Sequence, residues 1–154
     1  MSPRDEANTR RSGLILKHLL RWALLAFALN GLWEAAQLPL YTLWQDPDRQ
    51  RVVFYALHCV AGDVLISTFL FLFSAAIFKD FAWPSRRPWA GGLAVIAGGL
   101  IYTSFSVGYN VYQVRAWAYA GSMPLVFGIG LTPLLQWLVV PVLTIAAFRF
   151  RIRD

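Results

Sequence analysis

The chain has few charged residues and almost none of the residues that build redox or metal centres. Only 14% of its 154 residues are Asp, Glu, Lys or Arg, against roughly 25% in soluble domains. Its single cysteine, Cys59, excludes an internal disulfide, a Cys-x-x-Cys redox motif and a cysteine-based zinc cluster. The sequence also lacks a Gly-rich phosphate loop, a Gly-x-Ser-x-Gly elbow and a His-Glu-x-x-His motif. These absences argue against P-loop enzymes, α/β-hydrolases and zincin proteases.

The formal charge of +6 does not indicate nucleic-acid binding. The basic residues stand at the ends of apolar runs, as topogenic charges do, and they form neither a groove nor a helix face. We therefore expect membrane lipid as the partner and no nucleic acid. The sequence identifies no cofactor.

What the chain has in abundance is apolar sequence, which makes up 58% of its residues. Four apolar runs each reach the ~20 residues that a helix needs to cross a bilayer. They cover about residues 19–38, 52–78, 89–112 and 123–148. The sequence predicts an all-α membrane protein, a bundle of four transmembrane helices. A polar basic N-terminus (1–18) precedes them and a basic tail (149–154) follows.

The basic residues also predict an orientation. Eleven of them fall on one side of the predicted membrane and three on the other, and cytoplasmic segments carry the excess of Lys and Arg. Both termini are therefore predicted to be cytoplasmic, in a multi-pass protein of the bacterial inner membrane. The eleven are Arg4, Arg10, Arg11, Lys17, Arg21, Lys79, Arg86, Arg87, Arg149, Arg151 and Arg153, and the three are Arg49, Arg51 and Arg115.

The first apolar run contains a polar stripe. Asn30, Glu34, Gln37 and Tyr41 are spaced at i, i+4, i+7 and i+11, so they share one helical face. An ionisable group in hydrocarbon costs at least ~2.5 kcal/mol on insertion scales, and such groups are functional by default. The stripe therefore predicts a polar site inside the membrane.

Polar residues of the other runs lie in the same half of the predicted bilayer. Counted at ~1.5 Å per residue from the outer end, Glu34 lies roughly 6 Å deep and Asp63 roughly 16 Å deep. His58, Asn110 and Gln136 also belong to this outer half. We expect one site in the outer leaflet, with its two acids at different depths.

Acid–base chemistry suits these residues best, because two carboxyl groups in different surroundings divide the roles of acid and base. Glu34, Asp63 and His58 are the predicted catalytic residues. These three also allow a zinc or iron site, but we predict no metal. The predicted substrate-binding residues are Asn30, Gln37, Tyr41, Asn110, Arg115 and Gln136.

Structural interpretations of the same residues, without catalysis, also stay open. Glu34 allows a purely structural role, paired with Arg115 or hydrogen-bonded to aromatic side chains. Arg115 lies between aromatic residues and suits either a snorkelling anchor or a clamp for an anionic head group. The amide side chains suit hydrogen bonding between helices.

Three sequence blocks carry a resemblance to known proteins. NGLWEAAQLPLY at 30–41, HCVAGD at 58–63 and GLTPLLQW at 130–137 resemble a group of small four-span bacterial integral membrane proteins. That resemblance implies the fold and the membrane location but no particular reaction. The pattern Asn-x-x-Trp-Glu at 30–34 is also similar to the first span of integral membrane terpene cyclases, which implies protonation of an isoprenoid by Glu34.

Three functional hypotheses follow. The leading one is a small membrane enzyme that acts on a lipid or isoprenoid through Glu34 and Asp63. The second is a non-catalytic accessory or assembly subunit of a larger membrane complex, whose polar residues dock a partner helix. The third is a transporter of a small solute or protons. Because four spans are few for a monomeric transporter, the third requires a homo-oligomer.

Overall fold

Four long helices account for most of the chain. The computed structural model describes residues 2–115 and 117–150, which contain five helices: α1 (Pro3–Gln37), α2 (Arg49–Phe78), α3 (Trp83–Arg86), α4 (Pro88–Val107) and α5 (Leu131–Phe150). All except the short α3 are long and apolar enough to cross a membrane. The prediction of four such helices is confirmed. Residues 151–154 of the predicted basic tail, including Arg151 and Arg153, lie outside the described residues.

The four long helices form a closed ring of neighbours. Helix α1 packs against α2 and α5, and α4 packs against the same two helices on the other side. The start of α1, residues 79–87 and the end of α5 meet at one end of the bundle, which we call the basic end. The end of α1, the start of α2 and residues 108–130 meet at the opposite end, which we call the loop end.

Local capping explains where the first two long helices start. The Ser2 side chain accepts from the Asp5 backbone N–H, and the Asp5 carboxylate accepts from the Ser2 N–H, which forms a capping box. Asp48 caps α2 by accepting from the N–H groups of Gln50 and Arg51. The predicted polar N-terminus is therefore helical from residue 3 and continuous with the first apolar run.

Aromatic side chains fill the basic end of the bundle. Trp22 and Phe71 stack with ring centroids 5.0 Å apart, and Trp83 lies 5.4 Å from Trp22. The Trp22 indole N–H donates to the backbone and side-chain oxygens of Ser67, and the Trp83 indole donates to the Phe71 carbonyl. Each ring is fully buried with its polar atom satisfied, so this end is a close-packed core.

The outer surface of the bundle is apolar. Leu32, Leu65, Ile101 and Phe105 are each at least 70% exposed, whereas polar side chains of α1 and α5 are buried. In soluble proteins, buried polar and exposed apolar residues are both exceptions. The distribution is the one expected of helices whose surroundings are hydrocarbon.

The fourth of the long helices, α5, begins at Leu131. This is eight residues after position 123, where the sequence predicted the start of the fourth span. Residues 125–130 instead form a hairpin of two short strands, β1 (Leu125–Val126) and β2 (Ile129–Gly130). The two turn residues, Phe127 and Gly128, have φ angles of 51° and 81°. Positive φ at both positions is typical of the tight hairpin turn that glycine favours. The predicted boundary was wrong because apolar composition continues through this turn.

The third predicted span, 89–112, consists of two segments. Helix α4 ends at Val107 and continues as a π-helix over Gly108–Gln113. π-Helical segments inside or beside α-helices occur mostly at functional sites. This one lies at the loop end, beside the predicted polar residues.

The packing of α4 on Trp137 yields a stability prediction. A Cβ at Gly99 would lie 2.0 Å from the Trp137 ring, so Gly99→Ala should displace that rigid side chain and lower the free energy of unfolding by about 1–3 kcal/mol. The matched variant Gly31→Ala meets no atom within 4 Å and should be neutral or stabilising. Thermal unfolding in detergent measures both, and equal stability of the two variants would contradict the packing described.

Candidate functional site

One cavity of about 280 Å³ lies at the loop end, between α1, α2, α4 and α5. This volume is at the lower end of ligand sites and corresponds to about nine waters. Seven of the nine residues predicted from the sequence line it, with apolar side chains around them. These seven are Glu34, Gln37, Tyr41, His58, Asp63, Asn110 and Gln136.

The Gln136 amide joins three helices behind the cavity wall. Its Nε2 donates to Asn30 Oδ1 at 2.9 Å on α1 and to Asp63 Oδ2 at 2.7 Å on α2. Its Oε1 accepts from Gln37 Nε2 at 3.3 Å. Gln136 itself belongs to α5 and is 3% exposed. One side chain therefore holds the polar residues of α1, α2 and α5 in register.

The stripe on α1 completes this network. Gln37 Nε2 also donates to Glu34 Oε1 at 2.7 Å, and Gln37 Oε1 accepts from the Trp33 indole at 3.2 Å. Asn30 Nδ2 donates to the Ala26 carbonyl at 2.8 Å. The buried amides are thus hydrogen-bonded within the chain, as buried polar groups must be. Asn30 lies behind the wall and does not line the cavity.

Glu34 and Asp63 form a pair of carboxyl groups at the cavity wall, joined through two amides: Gln37 donates to Glu34, Gln136 donates to Asp63, and Gln37 donates to Gln136. Carboxylate oxygens only accept, so a hydrogen bond between the two groups requires a proton on one of them. Within residues 2–115 and 117–150, no ion pair includes either group. The neighbours of the two carboxyl groups in this part of the chain are therefore amides and apolar side chains, and no Lys or Arg is paired with them.

The prediction that the two acids lie at different depths was wrong. Glu34 is three residues from the end of α1, whereas Asp63 is fourteen residues into α2. Because the amides of Gln37 and Gln136 link the two acids at one level of the bundle, α2 extends about 16 Å beyond the end of α1. Two 3₁₀ turns, Leu38–Leu40 and Thr42–Gln45, connect the end of α1 to the start of α2 across this distance. An apolar sequence pattern does not predict such turns.

His58 lines the cavity from its exposed side. Its ring stacks on Phe54 with centroids 6.2 Å apart, and the side chain is exposed. No three of the His, Cys, Asp and Glu side chains in the described part of the chain come together as metal ligands. In the described residues, Glu34, His58 and Asp63 therefore do not form the zinc or iron site that the sequence allowed.

Arg115 does not line the cavity. It is exposed and has a left-handed backbone with φ 55°, two residues after the π-helix ends at Gln113. Within the described residues, Arg115 forms no ion pair with Glu34. Its role in substrate binding stays a prediction.

Asn110 comes to the cavity on the π-helix. Its Nδ2 donates to the Ser106 carbonyl at 2.9 Å and to Ser106 Oγ at 3.2 Å. Both side chains line the cavity on the side opposite α1.

Three aromatic rings cover the loop end of the cavity. Tyr41, Trp117 and Tyr119 have ring centroids 5.3–5.5 Å apart. Tyr41 and Tyr119 pair as an antiparallel β-bridge, which fixes the segment after α1 against the long loop. Burial raises the pKa of the Tyr41 phenol above its ordinary value, so it stays a neutral hydroxyl at physiological pH.

The cavity opens sideways, between α2 and α4. Four of its lining residues are exposed there: Tyr55, His58 and Cys59 on α2, and Tyr102 on α4. We call this opening the side cleft. On the side of the basic end, α2 and α4 come into contact where Leu70 meets Gly98, and the cleft ends there. The site is a dead-end cavity with a lateral mouth, because the aromatic core fills the basic end.

Several lining residues were not among the predicted site residues. Tyr55, Tyr102, Trp117 and Trp137 all face the cavity. Tyr102 and Trp117 lie close to polar residues in the sequence, and this proximity could have identified them as candidate site residues. Tyr55 and Trp137 carry no local signal, because aromatic residues at span ends and in cores look alike.

A comparison with protein families, with curated proteins and with solved structures finds no match for this chain. The functional argument therefore rests on the geometry of the cavity.

The role of Gln136 as the junction of the network is testable. Gln136→Leu removes one acceptor and two donors and leaves Asn30, Gln37 and Asp63 short of partners, each at a cost of about 1–3 kcal/mol. We expect a loss of at least about 2 kcal/mol in the free energy of unfolding. The control Gln113→Leu changes an exposed amide at the same end and should have little effect. Chemical denaturation in mixed micelles compares them, and a stable Gln136→Leu protein would refute the role.

Proposed function

We propose that the chain is a small multi-pass enzyme of the bacterial inner membrane that performs acid–base chemistry on a lipid or isoprenoid. The observation that carries the proposal is the Glu34–Asp63 carboxyl pair, which lies at the wall of a largely apolar cavity with a lateral mouth. A lateral mouth suits a substrate that arrives from the hydrocarbon, and paired carboxyl groups suit proton transfer.

The orientation belongs to the same proposal. We place both termini in the cytoplasm and the cavity in the outer half of the bilayer. Support comes from the gathering of three basic segments at one end: the start of α1, residues 79–87 and the end of α5. Cytoplasmic loops carry such an excess of Lys and Arg.

The proposed chemistry needs only the two carboxyl groups. The protonated member of the pair gives its proton to one atom of the substrate, and the ionised member takes a proton from another. The pair then holds the same number of protons as before, with their positions exchanged, so the step balances without an added reactant. A proton shift within an alcohol, carbonyl or alkene of the substrate fits this scheme.

The rival hypotheses have less support. The buried amides of α1 and α5 are satisfied within one chain, so they do not need the partner helix that an accessory subunit would dock. The aromatic core of Trp22, Phe71 and Trp83 fills the basic end, which leaves a dead-end site rather than a transport path.

The catalytic proposal predicts that removal of either carboxyl group lowers activity. Glu34→Gln and Asp63→Asn keep the shape of the pair but remove proton transfer, so turnover should fall by about 10²–10⁴-fold. The control Asp46→Asn removes a carboxylate from the surface ion pair with Arg51. Lipid profiling of a deletion strain that expresses each variant measures the effect. If both variants restore the wild-type lipid profile, the carboxyl pair is not catalytic.

The orientation has its own test. A reporter fused after Phe150 should behave as cytoplasmic, and one inserted at Gly121 in the long loop should behave as periplasmic. Paired alkaline phosphatase and fluorescent-protein fusions give opposite readouts at the two positions. The reverse pattern would place the cavity in the inner half of the bilayer.

A further inference from the structure

We infer that the cavity selects a head group that donates hydrogen bonds and carries no negative charge, namely a hydroxyl or an amine on an apolar tail. The inference rests on the proposed function of the cavity as a lipid site and names the chemistry of its ligand. Phosphate, diphosphate and carboxylate head groups are excluded by the same features.

The first feature is the charge of the wall. The cavity's titratable side chains at the deep end are the carboxyl groups of Glu34 and Asp63, and none of its described lining residues is Lys or Arg. The three basic residues at the loop end, Arg49, Arg51 and Arg115, are exposed, and none of them lines the cavity. An anionic head group would therefore meet like charge in apolar surroundings, at a cost of several kcal/mol.

The second feature is the shortage of hydrogen-bond donors at the polar wall formed by Glu34, Gln37, Asp63 and Gln136; the hydroxyl donors of Tyr55 and Tyr102 lie at the exposed side of the cavity instead. Both N–H bonds of the Gln136 amide are used, on Asn30 and Asp63. Both N–H bonds of the Gln37 amide are used as well, on Glu34 and Gln136. Beyond these bonds, the two carboxyl groups offer the lone pairs of their second oxygens and at most the one proton that the pair holds, so this wall supplies mainly acceptors where an anion needs donors.

The third feature is the shape of the site. Beside the polar wall, apolar side chains such as Ala56, Ile66 and Val107 line the cavity, and its exposed residues lie on α2 and α4. A ligand with its donor group against the carboxyl pair would place its tail through the cleft between α2 and α4. That arrangement satisfies the free acceptors and keeps the tail in apolar surroundings.

A set of probes with one tail tests the inference. Dodecanol, dodecylamine and dodecyl phosphate differ only in the head group, and native mass spectrometry of the full chain in a neutral detergent counts each bound probe. We expect dodecanol or dodecylamine to bind more than about tenfold tighter than dodecyl phosphate. Equal or tighter binding of dodecyl phosphate would overturn the inference while leaving the cavity as a lipid site.

A matched pair of glycine variants shows whether binding occurs in this cavity. Gly62 lines the cavity and Gly31 does not, yet a Cβ at either position meets no atom within 4 Å. Gly62→Leu should fill the cavity and abolish binding, and Gly31→Leu should leave it unchanged. Binding that survives in Gly62→Leu would be non-specific and would overturn the inference. Absence of binding by all three probes would count against both the inference and the proposed function.

Removing the charges of Glu34 and Asp63 tests whether they exclude an anionic head group. In the double variant Glu34→Gln, Asp63→Asn, dodecyl phosphate should bind at least about tenfold better than it binds the wild type. Thermal stability of the variant, measured alongside, distinguishes a loss of fold from a loss of selectivity. If the folded double variant still rejects dodecyl phosphate, the carboxyl pair does not set the preference.

Discussion

The site depends on the hydrogen bonds by which one amide joins its own helix to two others. Gln136 on α5 contacts Asn30 and Gln37 on α1 and Asp63 on α2, all within 2.7–3.3 Å. Apolar side chains pack in several registers at similar cost, but an amide in apolar surroundings has few alternative partners. The network therefore selects one register of α1, α2 and α5, and that register places Glu34 and Asp63 at one wall of the cavity.

The two ends of the bundle have complementary roles. At the basic end, Trp22, Phe71 and Trp83 fill the space between the helices and satisfy their own polar atoms. At the loop end, the same helices stay apart around the cavity. Close packing of small and large residues, such as Gly91 beneath Trp83, stabilises the bundle without support from the open end. A cavity is destabilising, and this division confines its cost to one end.

Properties of a single helix were predictable from the sequence, and properties of helix pairs were not. Asn30, Glu34 and Gln37 were predicted correctly as one buried helical face, because helical periodicity is local information. The prediction that Tyr41 shares this face was wrong, because α1 ends at Gln37 and Tyr41 has an extended backbone. The amide link between Glu34 and Asp63 and the exposed position of Arg115 were not predicted, because they depend on turn geometry in the loops. The hairpin turn at Gly128 has a recognisable residue, but the apolar run around it concealed the signal.

The unbroken length of α1 has a mechanical consequence. The helix runs from Pro3 to Gln37 with no proline after its first residue, a rod of about 50 Å in which the polar stripe occupies the far end. Its first fourteen or so residues are exposed and contact little of the bundle. A force applied there, by a surface or another molecule, acts through a long lever arm on Glu34 and Gln37. Events at the basic end of the bundle are in this way coupled rigidly to the geometry of the site at the loop end.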